Sequence, residues 1–304
     1  MNDVIIIANP SSGSEEAEKY AQLAKDKLTD NGRHVTIHLT ESIDDLAQTA
    51  QKATEDRYKT VVLMGGDGTV SNYCQSIKDY DNKPELAILP GGTVNNVARA
   101  LGINPNIEEA IEALPSLVSR QIDVGLVNDQ VFVSLLSAGT IPESVFEVSS
   151  EDKEKMGPLA YLAQGVQALS TQEEYHFNIT TADKSEELKL NLFMIGMSDT
   201  AVGIPNFFEG ASYNDGLIHF IGVKSSTFAQ QLTSFAQRIF NREDESDNTI
   251  FSIDTDGMTI ELLNSANESE HFIVKDGDKG PSFPLHIEVL PQWLTVLVPA
   301  DGDN

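Results

Sequence analysis

Residues 60–69, TVVLMGGDGT, run through five apolar or β-branched positions straight into Gly65, Gly66, Asp67, Gly68 and Thr69. A strand this apolar is expected to be covered on both faces, the condition of a strand inside a parallel α/β sheet. Two other runs repeat the pattern, DVIIIANPSSG (3–13) and ELAILPGG (85–92). Helical periodicity fills the intervals. SEEAEKYAQLAKDKLTDNG has an acidic first turn and stops at Asn31–Gly32, and SIDDLAQTAQKATED follows the strand HVTIHLT (34–40). Alternation of this kind predicts a three-layer α/β domain over residues 1–125.

Beyond RQIDVGLVNDQVFVSLLSAG the pattern shortens. EYHFNITTA, ELKLNLFMIGM, GLIHFIGVK, NTIFSIDTDGMTIELL, HFIVKDGD and PLHIEVL read as antiparallel strands with tight turns. Helices are expected over 157–171 and 227–241. The fold expected is therefore α/β: an N-terminal nucleotide-type domain, then a mainly antiparallel β-sandwich over 126–304, with the last strand free to return to the first domain.

In an open parallel sheet, ligands lie beyond the carboxyl ends of the strands. Here those ends carry NPSSG (9–13), GGDGT (65–69) and PGGT (90–93). Glycine lets backbone N–H groups approach an anion, and a following helix start adds a favourable dipole. Ser11, Ser12, Thr69 and Thr93 offer hydroxyls to phosphate oxygens. A carboxylate within such a cradle calls for a cation or a proton in transit, so Asp67 points to Mg²⁺ held between it and a polyphosphate, or to an ordered network around a nucleotide. Each loop alone reads equally well as a turn. Three at one sheet edge form the specific signal.

Charge and composition narrow the partners. Forty-seven acids against 20 bases give a formal net charge of -27 and a pI near 4.4, which argues against nucleic acid as a partner. No apolar run approaches the roughly 18 residues of a membrane-spanning helix, and MNDVIIIANP lacks the basic start of a secretory signal. The lone cysteine, Cys74, permits no internal disulfide, so a cytoplasmic location is the simplest expectation. No G-x-x-x-x-G-K-[ST] loop, G-x-G-x-x-G turn or G-x-S-x-G elbow is present. The six histidines lack zinc spacing, and His34, His38, His219 and His286 read as structural.

With NPSSG, GGDGTVSN, LPGGTVNNVARALGI and QIDVG in this order, the chain resembles the bacterial diacylglycerol kinase-like family of soluble lipid kinases. The similarity extends from the first strand to LTVLVP near the end. It implies an ATP- and Mg²⁺-dependent kinase transferring the γ-phosphoryl group to a hydroxyl of diacylglycerol or a related lipid. It also implies transient contact with the inner face of a membrane, and it is compatible with a homodimer. By the same resemblance Asn9, Pro10, Ser11, Ser12, Gly13, Thr40, Gly65, Gly66, Asp67, Gly68, Thr69, Val70, Ser71, Asn72 and Thr93 match nucleotide-contacting positions. Ser212, Asp215 and Leu217 match a metal site. Asp278, in KDGD, takes the place of the general base in the family's D-G-E, with Asp67 and Asp123 in a supporting network.

Three departures are visible, one being the glycine-rich segment expected before the metal site, which here reads AVGIPNFFEGASYNDG. Asp278 is one methylene shorter than the family's Glu, and Asn96 stands where the family has an Asp. These motivate an alternative, a nucleotide-binding regulatory homologue with weak or lost kinase activity. NAD kinase shares GGDGT, but no N-L-G-x-L-G counterpart occurs here. Phe207 and Phe208 are expected to pack in the β domain rather than line an acyl pocket.

Overall fold

The computed structural model describes residues 3–10, 16–138, 174–224, 249–263 and 272–300. The expected helices over 157–171 and 227–241 lie outside these residues, as do Ser11, Ser12 and Gly13. The chain divides into two compact units, Met1–Val124 with Val131–Val133 and Leu290–Asn304, and Gly125–Gln130 with Ser134–Val289. The sequence's return to the first unit thus begins near residue 290.

In the first unit the strands are β1 (Val4–Ala8), β2 (Val35–Leu39), β3 (Thr60–Gly65), β4 (Glu85–Pro90) and the end of β15 (Leu285–Val298). They lie in the order β2-β1-β3-β4-β15 and are all parallel. Ala8 pairs with both Leu39 and Met64, and Gly65 pairs with Pro90. This register brings the carboxyl tips of four strands to one edge. β1 and β3 are buried at every residue, whereas no residue of β2 is fully buried, as expected of an outer strand.

The helices follow from simple chemistry. In α1 (Ala17–Asp30) the buried residues Ala17, Ala21, Ala24 and Leu28 recur at helical spacing. Asn31 and Gly32 (φ 79°) end it, the glycine adopting the left-handed conformation that side chains resist. The Ser42 hydroxyl accepts the Asp45 N–H and caps α2 (Ile43–Glu55), and Asn106 caps α5 (Ile107–Ala113) in the same way.

The second unit is antiparallel. The strands β7 (Leu135–Ala138), β8 (Tyr175–Thr180), β9 (Ser185–Gly196), β12 (Gly257–Leu262), β13 (Phe272–Lys275) and β14 (Asp278–Ser282) run in the order β14-β13-β7-β9-β8-β12, then the start of β15. Strands β10 (Ile218–Lys224) and β11 (Ile250–Thr255) branch from β9. The sequence of β9 explains its double use. Its first half alternates exposed and half-buried residues, and its second half, LNLFMIG, is buried throughout. Phe193 in that half packs edge-on against Phe177 and stacks on Phe220, with centroids 5.3 and 5.5 Å away. Phe207 and Phe208 are 3% and 1% exposed and pack with Leu192, Met194, Ile221 and Val223. They are core residues, as the sequence suggested.

Candidate active site

The parallel register joins the predicted loops through the backbone. Thr40 N–H donates to the Ala8 carbonyl at 2.9 Å, Asn9 N–H to the Met64 carbonyl at 3.2 Å, and Gly91 N–H to the Gly65 carbonyl at 3.0 Å. Asn9, Thr40, Gly65–Thr69 and Gly91–Thr93 therefore stand side by side at the sheet edge. Thr93 is exposed there, Thr40 is buried, and Pro10 is exposed.

The glycines serve close approach. A methyl group on Gly92 would lie 2.6 Å from the Gly66 Cα, and one on Gly65 would lie 2.5 Å from the Thr69 Cβ. The turn after β3 and the turn after β4 thus touch backbone to backbone, a contact no other residue type allows. Asn95, in the left-handed region (φ 54°), closes the second turn: its Oδ1 accepts Gly92 N–H at 2.9 Å and its Nδ2 donates to the Gly92 carbonyl at 2.6 Å.

Asp67 completes the junction. Its Oδ2 accepts the N–H of Asn96 and its Oδ1 that of Val97, each at 2.9 Å. These are the first N–H groups of α4 (Asn96–Ala100), whose own N-cap residue gives no side-chain bond. The acid between glycines is the helix cap of a segment about thirty residues further on. By contrast α3 (Asp67–Ser76) opens on Gly66, an N-cap residue with no side chain to cap it. Its first turn, next to the glycine pair, presents the donor geometry that suits phosphate oxygens. Within α3, Val70 and Ser71 turn inward; the Ser71 hydroxyl donates to the Val131 carbonyl at 3.2 Å. Asn72 is half-buried.

Asp123, on β5 (Val118–Val127), is buried, and its Oδ1 accepts Gln292 N–H at 2.7 Å. Gln292 has φ 50° and follows Pro291, so the carboxylate satisfies the donor at an irregularity of β15.

In the second unit KDGD forms the β13–β14 hairpin. Asp276 (φ 50°) and Gly277 (φ 92°) are the two turn residues, the left-handed pair that Asp-Gly favours. Asp278 follows as an exposed residue. Asp276, which the motif argument passed over, is buried, and its Oδ1 accepts the N–H groups of Ser134 and Leu135 at 2.8 and 2.9 Å. It pins the hairpin to β7. The signal was present as the first acid of D-G-D, but its partners lie about 140 residues away.

The residues matched to a metal site do not fit a divalent cation. Asp215 Oδ2 accepts Ser212 N–H at 2.8 Å and Oδ1 accepts Leu217 N–H at 2.9 Å. The Ser212 carbonyl, a ligand by the resemblance, accepts Asp215 N–H at 3.4 Å. N–H groups, not carbonyl oxygens, converge on the carboxylate. Nε2 of His219 lies a further 3.1 Å from Oδ2. Among the described residues, no three His, Cys, Asp or Glu side chains gather as a metal cage.

Residues 3–127 match the model of the diacylglycerol kinase catalytic domain. A diacylglycerol kinase of Bacillus subtilis is 30% identical over 226 residues, covering 74% of this chain and 75% of that protein. The chain belongs to the diacylglycerol kinase family. A Staphylococcus epidermidis diacylglycerol kinase is 26% identical over 301 residues, 98% of this chain and 93% of its own. The crystal structure of a diacylglycerol kinase from Bacillus anthracis superposes with a TM-score of 0.76 at 25% identity, covering 98% and 97% of the two chains. As a diacylglycerol kinase family member, the protein is a lipid kinase with the α/β and antiparallel β parts expected from its sequence. No helix among the described residues is long and apolar enough to cross a membrane.

Proposed function

We propose that the protein transfers the γ-phosphoryl group of ATP to a hydroxyl of diacylglycerol or a related lipid. The observation that carries this reading is the contact of the Gly66 and Gly92 turns at the glycine-led start of α3. Backbone N–H groups there are suited to hold a triphosphate and to stabilise charge on the transferring group. Thr69 and Thr93 add hydroxyls. Asp67 fixes the two turns to each other and sets a negative charge at their edge.

Asp278 is the residue proposed to accept the proton of the attacking alcohol. A neutral alcohol is a weak nucleophile, and a carboxylate in reach removes its proton as the bond to phosphorus forms. Asp276, through Ser134 and Leu135, holds the hairpin that carries Asp278. Mg²⁺, when bound, would supply positive charge against the phosphate oxygens, with Asp67 and Asp123 proposed for the supporting network around it. The domain assignments proposed are nucleotide binding for residues 1–125 and lipid binding for 126–304, at the inner membrane surface in the cytoplasm.

The test is ATP-dependent phosphate transfer to a panel of lipid alcohols, read by mass spectrometry with and without Mg²⁺. Transfer to a diacylglycerol that disappears with Asp278→Ala supports the assignment. ATP binding with no transfer to any lipid overturns it.

A further inference from the structure

We infer that His219 replaces a bound cation as the group that locks the turn at residues 212–217. His219 sits on β10 and is buried. Its Nε2 lies 3.1 Å from Asp215 Oδ2, and its Nδ1 lies 2.9 Å from Asp254 Oδ1. Asp254 is the residue directly opposite on β11. One ring therefore ties the turn to two strands at once. Phe208 flanks it, with ring centroids 6.4 Å apart.

The position is one where a cation would otherwise be useful. The turn carries buried Ala211 and Tyr213, and Gly216 reverses the chain at φ 75°. It closes the segment that runs from Asp199, whose carbonyl accepts the N–H groups of Phe207 and Phe208 at 2.8 and 3.1 Å. An ionised carboxylate has about four acceptor positions. Three of Asp215's are engaged, by Ser212, Leu217 and His219. Divalent magnesium demands near-octahedral oxygen ligands, and here Asp215 Oδ2 faces an imidazole nitrogen. The neighbouring N–H dipoles present their positive ends to the same place. His219 thus gives a fixed, organic crosslink where the resemblance anticipated a metal, and this part of the fold holds its shape without one.

The inference stands apart from phosphoryl transfer, and its test needs no nucleotide. Thermal unfolding of the full chain is followed in EDTA and then through a Mg²⁺ titration, with ionic strength matched by NaCl because the acidic surface responds to any salt. The wild type and Asp215→Asn are expected to show the same response to Mg²⁺, with no saturable rise in midpoint. His219→Ala is expected to unfold at lower temperature and to gain a saturable rise with Mg²⁺, which Asp215→Asn in the same background removes. A saturable rise in the wild type that Asp215→Asn abolishes overturns the inference. The wild-type and Asp215→Asn comparison decides the matter even where His219→Ala does not fold.

Discussion

The Asp67 carboxylate and the Asn96 backbone N–H lie 2.9 Å apart, joining two glycine turns that are 29 residues apart in the chain. A second bond, to Val97 N–H, uses the other oxygen. Negative charge at a helix start is favourable, and charged hydrogen bonds of this kind are strong. Asp67 is therefore structural and electrostatic at once, and its replacement has a measurable signature. Asp67→Asn keeps the shape but loses the charge and one acceptor. It is expected to cost about 1–3 kcal/mol of stability in urea unfolding. Turnover should fall further, by roughly 100-fold or more, because the turns proposed to position phosphate lose one of the two bonds that join them.

Gly92→Ala tests the contact between the turns. The added methyl meets the Gly66 Cα at 2.6 Å, and neither backbone can yield as a flexible side chain would. The turns must separate, at a cost of about 1–3 kcal/mol by analogy with overpacked sites. Calorimetry should show weakened ATP binding, while circular dichroism reports an intact fold.

Tyr73 makes the opposite prediction. It is fully buried in α3, and among the described residues its hydroxyl has no hydrogen-bond partner. Burial pushes its pKa far above the ordinary tyrosine value. Removing an unsatisfied buried hydroxyl recovers a desolvation cost of about 1–3 kcal/mol. Tyr73→Phe should raise the urea midpoint and leave activity unchanged, since the ring and its packing remain.

Much of this architecture was legible in the sequence. β1, β3 and β4 announce themselves as wholly apolar runs ending in small residues, and Asn31–Gly32 stops α1 where turn chemistry says it should. The antiparallel strands from β8 to β13 follow the short alternating runs. What escaped depends on partners remote in the chain. Nothing near Asp67 reveals that it caps a helix starting at Asn96, nor does anything near His219 reveal Asp254 as its partner across the strands. β15 was hidden for a local reason. Pro291 and the left-handed Gln292 interrupt its pattern, so two strand signals, PLHIEVL and LTVLVP, belong to one strand of fourteen residues.

Acid should loosen the first unit through a defined pair. Arg33 Nε donates to Asp3 Oδ2 at 2.6 Å, and Arg33 also reaches Thr60 at 3.2 Å, tying the starts of β1, β2 and β3. The hydrogen bond from Arg33 is the main cause that holds the Asp3 carboxyl below its ordinary pKa. A lowered folded-state pKa means that Asp3 binds its proton more readily when unfolded. The stabilisation is thus full above the ordinary carboxylate range and is lost as pH falls through the lowered value. Asp3→Asn is expected to lower stability at neutral pH and to flatten its decline between neutral and acidic pH, as read by urea titrations.

The reading proposed for Asp278 is that it acts as the general base of phosphoryl transfer to the lipid. The most direct measurement is single-turnover transfer from γ-labelled ATP to diacylglycerol, comparing wild type, Asp278→Ala and Asp278→Glu, with ATP affinity measured in parallel. ATP affinity is expected to be unchanged in both variants, and transfer to fall roughly 100- to 10,000-fold in the alanine variant, the range of general-base catalysis. Transfer by the glutamate variant is expected to be at least as fast as wild type. Equal transfer rates in the wild type and Asp278→Ala, at saturating ATP and lipid, would contradict that reading.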